Sequence, residues 1–518
     1  MKIRVRSDIL HLYRELHSWV GILAGLFLFV AFYAGAISMF EQPLQDWATR
    51  PPVLPAPVSL SRTPELIERA LAAHPEAAAG YSVILTPAGA HPARLEWSDG
   101  GGRHHHGRGG ATVFAALDDH GALVTARQPA STAAGFIDVL HQQIGLPLPH
   151  DIAMPIMGVI ALLYATALTS GTLVFLPTLA RNLFSLKLFG SAQKAWLDLH
   201  NLLGIFSLPF HIVMAVTSVV FAFHEQVFVV QHLTLSTPPA MHRPHPAAGA
   251  PPVAALPPDA ILAAIARQAP GVAVDSIDYL QSGRAMRISV HDPRYSLRGP
   301  TSGFATVDPS TGRILSRDYL PGQQPRGMSV ITVFFALHFG SFGGTPVRVL
   351  YLLLGLGGAA LFYGGNRLWV VARRRREQRD GRVRDSLGTR LLDRLTPGWS
   401  FGCVGGCSAV LCAAPLVADN GSGSVFAALF YGVFTAAVAL AFVVPQRLSE
   451  QAPLWLASVL TLAVAPIAVL ARPVSSGALL LAGAALLLGA GLAALARRSG
   501  RREVPLTSRH RPRPVQAA

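Results

Sequence analysis

Five histidines border or enter the most apolar stretches of this 518-residue chain: His17, His141, His200, His211 and His338. An ionisable residue at membrane depth is costly and marks a functional position by default. His200 and His211 are eleven residues apart. On one continuous helix, eleven steps of ~100° return to within about 20° of the starting direction after a rise of about 16.5 Å. One helix face would then present imidazoles at two depths. Gly204 lies one turn from His200, and Gly21 and Gly25 lie beside His17. A missing side chain at such places lets a flat ring approach. Imidazole is an axial ligand of haem iron, so the pattern points to two haems stacked through a membrane. No compact set of three or four His, Cys or carboxylate residues has the local spacing of a zinc site. The depth of each residue sorts the ligands. His17 and His200 both open a span and are expected to share one haem. His211 belongs to the other, completed by His141, His338 or both. Other histidines, in the loop Gly100–Gly110 and at His224, His232, His242 and His245, read as loop residues.

These histidines need membrane helices to hold them. The chain is 51% hydrophobic and 14% charged, against about 25% charged in soluble domains. About 20 apolar residues cross a bilayer core. Eight stretches qualify: Ser18–Phe40, Ile152–Leu176, Leu199–Phe223, Val347–Val371, Phe401–Val417, Val425–Val444, Leu454–Leu470 and Gly477–Ala496. The first apolar run is too long for a signal peptide's core and is read as a retained helix. The net charge of +15 is clustered. Lys2, Arg4, Arg6 and Arg14 precede the first span, Arg373 to Arg394 follow the fourth, and Arg497, Arg498, Arg501 and Arg502 follow the eighth. Basic residues near span ends mark the cytoplasmic side, and eight spans put all three clusters there. Topology therefore accounts for the charge without nucleic acid. The three cysteines, Cys403, Cys407 and Cys412, all lie in the fifth span. They read as packing residues, and no disulfide framework is available to the polar segments.

Two polar segments, 41–151 and 225–344, separate the first four spans and read as small α+β modules. Each opens with a helical pattern, Pro64–Ala73 and Pro258–Arg267. Strands are expected at Tyr81–Leu85 and Ala111–Leu117 in the first, and at Arg287–Val290, Phe304–Val307 and Arg313–Ser316 in the second. Asp308-Pro309-Ser310-Thr311-Gly312 has turn chemistry, and Asp118-Asp119-His120-Gly121 stands at the matching place. Glu15-Leu16-His17 with Gly21 is echoed by Asp198-Leu199-His200 with Gly204. Leu140-His141 with Gly145 and Pro147 is echoed by Leu337-His338 with Gly343 and Pro346. The unit of helix, outer module and helix thus occurs twice in one orientation, a parallel internal repeat.

With these motifs the chain resembles the PepSY-associated transmembrane family over about residues 8–375, the Asp308-Pro-Ser-Thr-Gly-x-Ile-Leu hairpin being typical of PepSY modules. The fold expected is a mainly α membrane protein of about eight transmembrane helices, with two small α+β extracytoplasmic PepSY-like domains inserted in a parallel internal repeat. Its parts are residues 1–40 (cytoplasmic start and first span), 41–151 (first module), 152–224 (second and third spans), 225–344 (second module), 345–372 (fourth span), 373–400 (basic cytoplasmic loop), 401–496 (four-helix extension) and 497–518 (basic tail). The resemblance implies an inner-membrane protein of the iron-regulated or siderophore–iron reductase type carrying two b-type haems. No Gly-rich nucleotide turn is found between a strand and a helix, so a quinol or another protein must donate the electrons. A ferric siderophore or other ferric chelate would accept them near Tyr279, Arg294, Tyr295 and Arg298. The alternatives are a non-enzymatic envelope-binding protein and a transporter.

Overall fold

A computed structural model describes residues 7–49, 52–99, 111–129, 131–175, 192–224, 226, 255–280, 285–297, 299, 302–417, 423–471 and 475–501. Lys2, Arg4, Arg6, the glycine–histidine loop 100–110, His232, His242, His245, Arg298 and Arg502 lie outside the described residues. The chain divides into two compact units, Met1–Arg373 with Ala413–Ala427, and Arg374–Cys412 with Ala428–Ala518. Among the described residues, seven helices are long and apolar enough to cross a membrane, or eight if one bent pair counts as a single span.

The first unit begins with α1 (Ser7–Ser38), which starts well before the apolar run and so carries His17 inside a helix. A short α2 (Glu41–Ala48) follows it. Then α3 (Thr63–Ala73) leads into a four-stranded antiparallel meander: β1 (Gly80–Ile84), β2 (Leu95–Ser98), β3 (Ala111–Leu117) and β4 (Leu123–Pro129). A helix not foreseen from the sequence, α4 (Ala133–Gln142), carries His141 in its last turn and precedes the span α5 (His150–Phe175).

The third span is broken. It forms α6 (Ala192–Phe206) and α7 (Leu208–Ala222), bent by 70° at Ser207. Pro209 lies in the first turn of α7. A proline has no N–H to offer the carbonyl four residues back, and its ring crowds that carbonyl. The straight helix expected over Leu199–Phe223 is therefore corrected, and His200 and His211 do not form a ladder on one helix face.

The second polar segment repeats the sequence of elements: α8 (Pro258–Gln268), then β5 (Ala273–Leu280), β6 (Ala285–His291), β7 (Gly303–Val307) and β8 (Ile314–Tyr319). Next come α9 (Arg326–Phe339), with His338 in its last turn, and the long span α10 (Gly344–Arg379). The two meanders are not separate modules. Strand β1 pairs antiparallel with β5, joining them into one eight-stranded sheet ordered β4-β3-β2-β1-β5-β6-β7-β8. At the seam Tyr81 faces Tyr279, and their rings stack at 4.7 Å. Alternation along the strands sends one face to a core shared with α3 and α8, built from Leu66, Ala70, Ile261, Ile265, Ile277 and Ile288.

Both anticipated turns form. Asp308 Oδ1 accepts the backbone N–H groups of Ser310 (2.9 Å) and Thr311 (3.3 Å). Gly312 closes the turn at φ +69°, where a Cβ would lie 2.6 Å from that of Ala264. In the first meander Asp118 Oδ1 accepts from His120 (2.9 Å) and Ala122 (2.7 Å), and Gly121 has φ +78°.

In the second unit, α11 (Leu387–Ala413) packs with α12 (Gly423–Val443), α13 (Gln451–Leu470) and α14 (Ser476–Arg501). The region read as a basic loop is largely helical, because α10 runs on to Arg379 and α11 starts at Leu387. Arg374 bridges Asp385 (2.7 Å) and Asp393 (2.9 Å). The fifth span, rich in small residues, is the most enclosed of the candidates. Gly398, Gly402 and Gly406 sit one turn apart where Val438, Phe434 and Phe430 press close, the small-residue packing typical of membrane helices. Cys403 and Cys407 are buried free thiols in this helix.

Candidate functional site

The first unit brings four of the five histidines into two pairs. The His17 and His200 rings are 6.1 Å apart between centroids, and those of His141 and His338 are 6.0 Å apart. Ala31, which holds His141, lies fourteen residues beyond His17 on α1, a rise of about 21 Å. The pairs therefore occupy opposite ends of the helix bundle.

Each paired imidazole has its Nδ1 engaged. His17 Nδ1 donates to the Ala167 carbonyl (2.8 Å) and His141 Nδ1 to that of Ala31 (2.7 Å). His200 Nδ1 makes a longer bond to Leu361 O (3.4 Å). His338 Nδ1 lies 2.8 Å from Thr217 Oγ1. That hydroxyl donates its own hydrogen to Val213 O (2.7 Å), so it accepts from the imidazole. A proton held on Nδ1 leaves the Nε2 lone pair free, the tautomer a metal-ligating histidine needs.

Three of the acceptor carbonyls share a device on the neighbouring helices. Each is followed four residues later by a glycine: Ala31 by Gly35, Ala167 by Gly171, Leu361 by Gly365. A Cβ on Gly35 would lie 2.6 Å from His141 Nδ1, and one on Gly171 2.8 Å from His17 Cε1. On Gly365 it would lie 3.3 Å from His200 Cε1. The residue at i+4 covers the carbonyl at i on a helix surface, so glycine there opens a notch for the incoming ring. The glycines singled out in the sequence stand elsewhere. A Cβ on Gly21 would meet nothing within 4 Å, and one on Gly204 would touch only a Leu361 methyl at 3.9 Å. That side, one turn from His17 and from His200, is open. Gly25 instead backs onto Asn366.

His211 belongs to neither ring pair. Its ring is 1% exposed, whereas the four paired imidazoles are half-buried. Tyr164 Oη donates to the His211 carbonyl (3.1 Å) and accepts from Nδ1 (2.5 Å). Nε2 has no partner and is fully covered. The rings of Phe32 (5.4 Å), Phe210 (5.8 Å) and Phe362 (6.3 Å) enclose it.

Of the residues expected to face a chelate, Tyr279 is corrected. It is 2% exposed inside the sheet core, and burial pushes the phenol of its stacking partner Tyr81 up to about 12. Arg294 and Tyr295 do reach solvent. The Arg294 guanidinium grips Asp292 through two bonds (2.9 and 2.7 Å) and lies 5.6 Å over the Tyr295 ring. This grip holds the Asp292 carboxyl down at about 2. His224 is exposed, bonded to Phe221 O (2.6 Å). No group of three or more His, Cys, Asp or Glu able to hold a metal ion exists among the described residues.

Sequence reasoning missed Gly35, Gly171, Gly365, Thr217 and Tyr164. The glycines were visible as gaps in apolar runs, but nothing local says which histidine from another helix fills each gap. No curated protein matches the chain. The family described as PepSY-associated TM region matches residues 14–372, which is every element from α1 to the apolar part of α10. The chain belongs to the PepSY-associated transmembrane family.

Proposed function

We propose that this protein is a bacterial inner-membrane electron carrier with two b-type haems, which reduces a ferric siderophore or other ferric chelate on the outer side. The observation that carries the reading is the pair of neighbouring imidazoles at each end of the bundle, every one with Nδ1 engaged. Metal–imidazole nitrogen bonds are about 2 Å long, so two imidazoles on opposite sides of one iron have ring centres roughly 6 Å apart. The separations of 6.1 and 6.0 Å fit that arrangement. His17 and His200 would hold one haem, His141 and His338 the other. The bound haems would supply one-electron redox chemistry.

The chain's own residues do the rest. The Ala31, Ala167 and Leu361 carbonyls and the Thr217 hydroxyl fix each tautomer and raise its basicity. The eight-stranded sheet stands at the end of the bundle that carries His141 and His338, since α4 and α9 link it to the spans. Both polar segments contribute to this sheet, so both must lie on one side of the membrane. After α5 the chain would then cross back through the bent pair α6–α7, which would give eight spans in a parallel repeat. Within the first unit, α10 ends in Arg373, away from its His338 end, and the positive-inside rule would make that end cytoplasmic. A quinol or a reduced protein would deliver electrons near His17 and His200. Ferric iron loses affinity for hard oxygen ligands on reduction, so the chelate would release it. Purified, chemically reduced protein should be reoxidised on mixing with a ferric siderophore, with ferrous iron trapped by a colorimetric chelator. Haem-loaded protein that stays reduced with every ferric chelate tried would refute the acceptor class.

A further inference from the structure

We infer that Phe362 and Phe32 form the electron bridge between the two histidine pairs, an inference that rests on the di-haem reading above. Each ring belongs to the residue that directly follows an acceptor carbonyl. Leu361 O takes the His200 Nδ1 bond, and Phe362 is next in the chain. Ala31 O takes the His141 Nδ1 bond, and Phe32 is next. The two phenyl rings meet at 5.1 Å between centroids, inclined at 68°, within the range of edge-to-face contact. A single unbroken path therefore runs from His200 through a hydrogen bond, one peptide, two touching rings, a second peptide and a second hydrogen bond to His141.

The surroundings hold these rings in place. Tyr164 packs against Phe32 at 5.7 Å and against Phe362 at 5.8 Å. A Cβ on Gly358 would lie 2.4 Å from Phe32 Cδ1, so this glycine is what lets the ring sit against α10. The sealed His211 and its Tyr164 hydrogen bond fill the remaining side. His211 thus packs against both phenyl rings. With haem held by His17 and His200 and by His141 and His338, the haems would supply the one-electron chemistry, and Phe32 and Phe362 would carry the electron between the two pairs. No bond forms or breaks and no proton moves in that step. The quinol or protein donor replaces the electron, and the ferric chelate removes it.

The test follows electron equilibration between the haems of the full-length protein after a soluble photoreductant injects one electron by a light flash. His200→Ala and His141→Ala provide the reference spectrum of each haem alone. Wild type should relax in one fast phase. Phe32→Leu and Phe362→Leu, made separately, should lose that phase and relax slowly, with haem content and both midpoint potentials unchanged. Phe362→Tyr, which keeps the ring, should restore the fast phase, and Phe210→Leu, off the path, should leave it intact. Fast relaxation in both leucine variants would overturn the bridge while leaving the di-haem reading standing. Wild-type protein without haem would overturn both.

Discussion

At the scale of single residues, the account turns on notches. A histidine reaches a backbone carbonyl of a neighbouring helix only where the residue four positions on lacks a side chain. Gly35→Ala would put a methyl 2.6 Å from His141 Nδ1, and Gly171→Ala would put one 2.8 Å from His17. Each should lower haem per protein at its own pair, whereas Gly21→Ala, which meets nothing within 4 Å, should not. Haem content by pyridine haemochrome measures this. Glu41, at the start of α2, gives a pH prediction. Burial first, then the Asp138 carboxylate, pushes its carboxyl up from 4.5 to about 7. The folded state therefore binds a proton that the unfolded chain has lost between those values. The stability this site contributes is present at low pH and falls as pH rises from about 4.5 to 7. Glu41→Gln should flatten that part of the pH profile of thermal unfolding. The histidine residues were legible in the sequence because an ionisable group in an apolar stretch is conspicuous. Their partners were not, since Ala31 and Leu361 act through backbone carbonyls that any residue carries.

At the scale of elements, the seam β1–β5 and the bend at Pro209 decide how the parts meet. Sequence patterning located both hairpin turns and five of the strands, because turn residues and period-two alternation are local signals. The pairing of β1 with β5 joins residues about two hundred positions apart, and no local pattern encodes it. The stacked Tyr81–Tyr279 pair closes the seam, and truncating a buried aromatic costs about 3–5 kcal/mol. Tyr279→Ala should therefore destabilise the sheet as a whole, read as rapid protease cleavage in both polar segments at once. Cleavage confined to the second segment would show that the two meanders fold independently. The bend was hidden for a different reason: eleven residues bring two histidines onto one face only if the helix is continuous, and Pro209 ends that continuity. His211 then turns into the aromatic cluster, and His338 on α9 pairs with His141.

At the scale of the whole molecule, the shared sheet ties both polar segments to one side of the proposed topology. Reporters inserted at Asp119 and Gln323 should both register the outer side, and reporters after Arg382 and at the C-terminus the cytoplasmic side. A split result between Asp119 and Gln323 would be incompatible with one continuous sheet. The central claim is that two pairs of neighbouring imidazoles, and not a ladder through His211, hold two haems. Its most direct test is haem per protein and the reduced absorption spectrum across five single variants. Wild type should hold two haems. His17→Ala and His200→Ala should each lose the same haem, His141→Ala and His338→Ala should each lose the other, and His211→Leu should keep both. Loss of a haem in His211→Leu with both retained in His338→Ala, or a wild-type protein with no haem at all, would contradict the account.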